Sequence, residues 1–136
     1  MKNKLINTVL AFALTLILTA CGGGAAANKT TLVITATESG YDSPTYTVPA
    51  GAQVDFTFKN TGNLEHNFDI IKLGEHVQSP FSDADNDKIF WKLDSVGAQQ
   101  SKSATFTAPT APGEYDIICS VPGHIEMGMH ATLVVK

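Results

Sequence analysis

Val54, Phe56 and Phe58 alternate with Asp55, Thr57 and Lys59. A period of two places the apolar set on one face of a strand and the polar set on the other, so this stretch predicts a half-buried strand with one wet face. Other short runs carry strand signatures. Thr31 to Thr37 is rich in β-branched residues, and Thr45 to Val48 is a short extended piece ended by Pro49-Ala50-Gly51. His66 to Lys72, Thr105 to Thr107, Glu114 to Cys119 and Thr132 to Val135 complete the set. Turn residues separate them at Tyr41-Asp42-Ser43-Pro44, Asn60 to Asn63 and Pro109 to Gly113. No helical period is sustained over ten residues. Short strands at regular spacing between Gly/Pro turns predict an all-β sandwich or barrel over residues 30–136. Gly74 to Ser101 is the least patterned part, read as a long excursion with one strand or helical turn near residues 88–94. Its cluster of Asp83, Asp85 and Asp87 lacks the glycine and terminal glutamate of a calcium loop, and is expected to be a solvated loop.

The first 20 residues stand apart from this pattern. Lys2 and Lys4 precede a mostly apolar run from Leu5 to Leu18, the layout of a signal peptide. A retained transmembrane helix is the competing reading. The run is shorter than the ~20 residues that span a bilayer comfortably, and Asn7, Thr8 and Thr15 interrupt it. Leu18-Thr19-Ala20-Cys21-Gly22 resembles the lipobox of bacterial lipoproteins, which implies that Cys21 becomes the lipidated first residue of the mature chain. Residues 22–29 are Gly-Gly-Gly-Ala-Ala-Ala-Asn-Lys, a flexible tether that reaches roughly 25–30 Å when extended. The expected organisation is therefore signal peptide 1–20, lipidated cysteine and tether 21–29, and one domain 30–136, exported and held at the membrane on its periplasmic or outer face.

Composition narrows the function classes. The chain has 136 residues, 43% of them apolar and 16% charged, enough for one domain with its own core. It contains no arginine and carries a net charge of −4. Without Lys2 and Lys4 it has 7 basic and 13 acidic residues, a net −6. Nucleic acid is not an expected partner. The two cysteines, Cys21 and Cys119, each have a separate role in this reading, and no disulfide between them is expected.

The most informative stretch is Cys119-Ser-Val-Pro-Gly-His124-Ile-Glu-Met-Gly-Met129. It sets a thiol, an imidazole and a thioether between two apolar runs. Thiolate, two imidazoles and a weak axial thioether suit a blue-copper electron-transfer site. Pro122-Gly123 favours the turn that brings His124 round beside Cys119, because proline presets φ and glycine accepts φ > 0. Gly128 is read as leaving room for the chain to pass near a metal. His66, at the head of the Asn67-Phe68-Asp69-Ile70-Ile71 run, is placed to supply the second imidazole. Each of these residues alone is more often core or surface. Their order, with a strand on either side, is a poor match to chance. His76 and His130 are expected to be structural or exposed, and Met127 is the weaker axial candidate.

Gly113 to His124, followed by Gly128-Met129 and Thr132-Leu133-Val134-Val135, resembles the C-terminal signature of the cupredoxins. The Cys-x4-His-x4-Met spacing is most similar to the auracyanins, and Asn60-x5-His66-Asn67 resembles the family's first-ligand motif. The resemblance implies a Greek-key antiparallel β-sandwich and one mononuclear type 1 copper. His66, Cys119 and His124 would be its strong ligands and Met129 its axial one. It also implies that Asn67 ties the two ligand loops together by hydrogen bonding. Plastocyanins have a shorter Cys-to-His spacing, and azurins set the methionine one residue nearer the histidine.

On this basis the chain is expected to carry single electrons between a donor and an acceptor in a photosynthetic or respiratory chain. It has no apparent nucleophile, base or oxyanion hole, so it is not expected to be an enzyme. In the family the second histidine lies at the surface edge, which makes Val121, Pro122, Ile125 and Met127 a docking patch around His124. The family fold implies a monomer. Two other classes compete: a lipoprotein that stores or passes on copper, and a metal-free sandwich serving as a structural module.

Overall fold

The computed structural model describes residues 28–136. The predicted signal peptide and lipidation site, and nearly all of the tether, lie outside the described residues. Among the described residues nine strands form two sheets: β1 Lys29–Thr37, β2 Gly40–Tyr41, β3 Thr45–Val48, β4 Gln53–Asn60, β5 His66–Ile71, β6 Ile89–Val96, β7 Ser101–Thr107, β8 Gly113–Ile118 and β9 His130–Val135. One sheet has the order β2-β1-β4-β7 and the other β3-β9-β8-β5-β6.

The alternation seen along β4 holds: Val54, Phe56 and Phe58 are buried, while Asp55 and Lys59 are exposed. The inward faces of both sheets meet in one core. Its centre is an aromatic lattice in which Phe56 lies 4.9 Å from Phe68 and 5.3 Å from Trp91, and Trp91 stacks on Phe106 at 4.4 Å. Rings in offset and edge contacts add to what area burial alone contributes. Ile34, Ile70, Ile117 and Leu133, all 0% exposed, fill the space around them.

Two pairings depart from the expected antiparallel sandwich. β1 runs parallel to β4, and β3 runs parallel to β9. Hairpins make antiparallel neighbours, whereas parallel neighbours need a crossover. Here every connection changes sheet except β1–β2, β5–β6 and β8–β9. Strands brought together by such crossings take whichever direction the path leaves them, so the sheets are mixed.

The excursion resolves into more structure than its sequence suggests. Asp83–Lys88 is a short 3₁₀ helix, and β6 follows it at once. Asp85 does not belong to a solvated loop. Its carboxylate accepts bonds from the Ser82 hydroxyl at 2.6 Å and the Ser82 amide at 2.9 Å, and pairs with Lys88 at 2.9 Å. These bonds, the serine hydroxyl first, hold its pKa down to about 2. An acid three residues past a serine caps the turn from within.

The chain ends that matter for chemistry gather at one pole. β5 and β9 start there, and β6 and β8 end there. Asn60 fastens this pole from the last position of β4. Its side-chain amide donates to the carbonyls of Leu64 at 2.7 Å, Val96 at 2.9 Å and Gly97 at 3.1 Å, and its oxygen accepts from the Gly62 amide at 2.9 Å. One buried side chain thereby satisfies backbone groups in two loops that flank His66.

Candidate metal centre

His66 opens β5 opposite Val96, the last residue of β6. Cys119 directly follows β8. The loop from Cys119 to Met129 folds back on itself. Cys119 N–H donates to the Met129 carbonyl at 3.2 Å, Met129 N–H to the His124 carbonyl at 2.9 Å, and His124 N–H to the Val121 carbonyl at 3.0 Å. Gly123 and Gly128 sit at φ +89° and +86°. A Cβ at either would meet nothing within 4 Å. The role expected of Gly128 is therefore corrected: the position needs its backbone angle, not the missing side chain.

The loop delivers three donors to one point. His66 Nδ1 lies 3.1 Å from His124 Nδ1, and Cys119 Sγ lies 3.3 Å from the same nitrogen. All three ligand atoms fall within 4.8 Å of one another, the one such metal-capable cluster among the described residues. His66 and Cys119 are fully buried, and His124 is 4% exposed. Two nitrogens each about 2.0 Å from a shared ion would stand about 3.3 Å apart, so the observed spacing fits a single metal. Met129 is 1% exposed and contributes to the core. Its backbone meets both Cys119 and His124.

Burial is the largest influence on the protonation of Cys119 and His66. It pushes the Cys119 thiol up, while amide hydrogen bonds from Asn67 and Val121 pull it back part of the way. His66 is held below its ordinary value, first by burial and then by the neighbouring His124. Its Nε2 has no partner among the described residues. A neutral imidazole with a lone pair at Nδ1 is the form a metal takes up. A thiol and two imidazoles together make a soft, compact set that fits copper.

Asn67 ties the two ligand segments as the family resemblance implies. Its backbone N–H donates to Cys119 Sγ at 3.4 Å. Its side chain makes two bonds to Ser120, accepting from the amide at 2.8 Å and donating to the hydroxyl at 2.8 Å. Tyr41 OH donates to the Asn67 carbonyl at 2.9 Å. Ser120 itself donates to the buried carboxylate of Asp69 at 2.5 Å. Asp69, Ser120 and Tyr41 were not among the expected site residues. The signal for Asp69 was present, since it is an acid inside the otherwise apolar run Phe68 to Ile71.

The remaining candidates are spread around the pole. Val121 and Ile125 are half-buried, and Pro122 and Met127 are exposed, Met127 at 54%. Leu64, 49% exposed, adds an apolar side chain from the loop before His66. His76 is exposed and bonds Asp116 at 2.8 Å. His130 is exposed and lines a shallow cavity with Ile125 and Asp116. Neither joins the cluster.

Residues 9–135 match the profile of the cupredoxin-like domain family. The chain belongs to that family. Auracyanin-A of Chloroflexus aurantiacus is 31% identical to this cupredoxin over the whole length of both chains. The solved structure of that auracyanin, described as a blue copper protein, superposes with a TM-score of 0.67 at 30% identity, covering 80% of this chain and 100% of its own. Dithionite-reduced auracyanin from Roseiflexus castenholzii gives a TM-score of 0.67 at 34% identity, covering 80% and 98%. Rusticyanin of Acidithiobacillus ferrooxidans is 38% identical over 69% of this chain and 61% of its own length. The fold is thus an all-β cupredoxin sandwich, and its cofactor is a type 1 copper.

The raised Cys119 pKa sets the pH dependence of metal uptake. At neutral pH the free thiol holds its proton, whereas the His66 imidazole, held below its ordinary value, is available. Loading the metal-free protein with cobalt(II), a probe that does not oxidise thiols, should release one proton at pH 7. Affinity should rise about tenfold per pH unit as long as the thiol is protonated. Calorimetry in two buffers of different ionisation enthalpy measures this count, and Cys119→Ser should release none. A count near zero in the unaltered protein would mean that the thiolate is already ionised before metal arrives.

Proposed function

We propose that this cupredoxin is a membrane-tethered carrier of single electrons, passing them between a redox donor and acceptor through one copper. His66, Cys119 and His124 would hold it as strong ligands, and Met129 would add a weaker thioether donor. The observation that carries this reading is the convergence of two imidazoles and a thiol in a buried pocket with no open side for a substrate. When bound, the copper supplies a reversible Cu(I)/Cu(II) couple. The protein's part is to hold the donors still. Two histidines and a cysteine fixed by β5, the end of β8 and a self-bonded loop need little rearrangement when charge changes, which is what a fast carrier requires. The near-complete burial keeps water from the donors, and His124 offers the shortest path to the surface.

Val121, Pro122, Ile125 and Met127, together with Leu64, form the surface through which a partner's redox centre approaches. Glu38, Asp42, Glu65 and Glu126 stand in the loops of the same pole, which carry no lysine. They favour a basic partner and make association faster at low salt. The carrier works as a monomer. Lipid on Cys21, with the tether of residues 22–29, holds the domain close to the membrane surface on its periplasmic or external side. Copper handling has no better support, because the exposed His76, His130 and Met127 do not converge on a second site.

Three outcomes test this reading. Copper-loaded, oxidised protein should show an intense band near ~600 nm, abolished in Cys119→Ser, as expected for charge transfer from thiolate to copper. No band in metal-saturated protein would remove the electron-carrier reading. Met127→Lys and Ile125→Lys should leave that band in place and slow electron exchange with a basic redox protein by about tenfold or more, read by stopped-flow. Met127 is exposed, so its change tests the surface without disturbing packing, and an unchanged rate in both variants would place docking elsewhere. Mass spectrometry of the protein from membranes should find diacylglyceryl-modified Cys21 at the N-terminus, and Cys21→Ser should release the domain into the soluble fraction. Retention of residues 1–20 would instead favour the uncleaved helix.

A further inference from the structure

β5 carries a charge where the middle of a sheet offers little room for one. Asp69 is 1% exposed. It pairs with Ile118 on β8 and Lys92 on β6, while its neighbours Phe68 and Ile70 point into the core. Alternation therefore sets Asp69 on the outer face of the five-stranded sheet, the face that also bears Ile118 and Ser120. One carboxylate oxygen accepts the Ser120 hydroxyl at 2.5 Å. The other, Oδ1, is buried with no partner among the described residues. Burial raises its pKa to about 6, with the Ser120 bond and Lys92 opposing the rise and Asp94 adding to it. A buried acid with one unmet oxygen costs stability. Fold stability alone gives no reason for an acid at this position.

The hydrogen-bond directions supply a reason. A serine hydroxyl has one proton to give. Donated to Asp69, it leaves only lone pairs facing Asn67, whose side-chain amide then donates into them at 2.8 Å. The amide oxygen of Asn67 is thereby turned toward the Ser120 N–H, which it meets at 2.8 Å. The same residue's backbone N–H lies on Cys119 Sγ. Remove the carboxylate and the hydroxyl is free to rotate, so the amide of Asn67 loses its fixed acceptor.

We propose that Asp69 is a positioning residue of the metal centre, which acts through Ser120 to lock Asn67 between the His66 and Cys119 segments. It also places a fixed negative charge behind the thiolate, which favours the more positive oxidation state of the metal. The second role rests on the type 1 copper reading. The first does not, because the hydrogen-bond chain exists without an ion.

The two roles are tested separately. In the metal-free protein, Asp69→Ala should speed hydrogen exchange at the Asn67 and Ser120 amides by about tenfold or more, while amides of β1 and β4 exchange as before. A uniform rise across the sandwich, or no rise at these two amides, would overturn the positioning role. In the copper-loaded protein, Asp69→Asn keeps the shape and removes the charge. It should retain the ~600 nm band, shift the reduction potential upward at pH 7, and leave the metal-free protein at least as resistant to heat. An unchanged or lower potential, or a metal-free protein that melts earlier, would overturn the electrostatic role and make Asp69 a structural residue. Absence of the band in the unaltered protein would instead remove the copper reading and leave the exchange result standing.

Discussion

Three polar donors buried side by side are the constraint on which the rest of this structure depends. His66 lies more than fifty residues before the loop that carries both Cys119 and His124, yet the three ligand atoms lie within 4.8 Å of one another. No ordinary folding force assembles such a group. Each donor loses water on burial, and two imidazole nitrogens facing each other share at most one good hydrogen bond. The surrounding fold has to offset that cost, and it does so with an apolar core that runs up to the donors. Met129 and Cys119 are members of that core, so the site is the polar end of the hydrophobic cluster rather than a cleft cut into the surface.

Two asparagines hold this arrangement in register. Asn60 joins the loops before β5 and after β6, which fixes where His66 starts its strand. Asn67 joins β5 to the loop after β8, which fixes where Cys119 ends. Both use an amide side chain to meet backbone groups that no strand partner reaches. A short amide suits this work because it donates and accepts at once within a rigid plane. The excursion between β5 and β6 closes the outer face of the same sheet, where Ile71 and Ile118 are buried although neither belongs to the central core.

Much of this was legible in the sequence, and the exceptions have physical reasons. The strand of residues 53–60 and the loop of residues 119–129 could be read because their signals are local: alternation at period two, and a proline and glycine at a turn. The ligand set was legible because thiol, imidazole and thioether chemistry narrows the metal whatever the fold. Parallel pairing of β1 with β4 was not legible, since strand direction depends on the path of connections rather than on either strand. β6 was obscured because Trp91 and Leu93 face inward from a strand whose remaining residues are mostly half-buried or exposed, which blurs the alternation. Asp85 read as a solvated acid because a capping bond needs a turn that only the surrounding chain imposes. Asp69 has the same origin: a lone acid in an apolar strand is visible, but which face it occupies and what covers that face are set by distant residues.

These features bear on how a carrier can be fast without being loose. Exchange of an electron is slowed by any movement that must accompany it, so a site should have its final shape before the charge changes. Here the donors are positioned by β5, by the end of β8 and by a loop whose own backbone bonds close it on itself, and none of these depends on an ion. The Nε2 of His66 and Oδ1 of Asp69, buried without a partner among the described residues, mark what this preorganisation costs. The aromatic lattice of Phe56, Phe68, Trp91 and Phe106 ties the two sheets together in the core that this pole caps. Stability stored in that lattice is spent at the pole, where the fold keeps a poorly satisfied but rigid group of donors a single side chain below the surface.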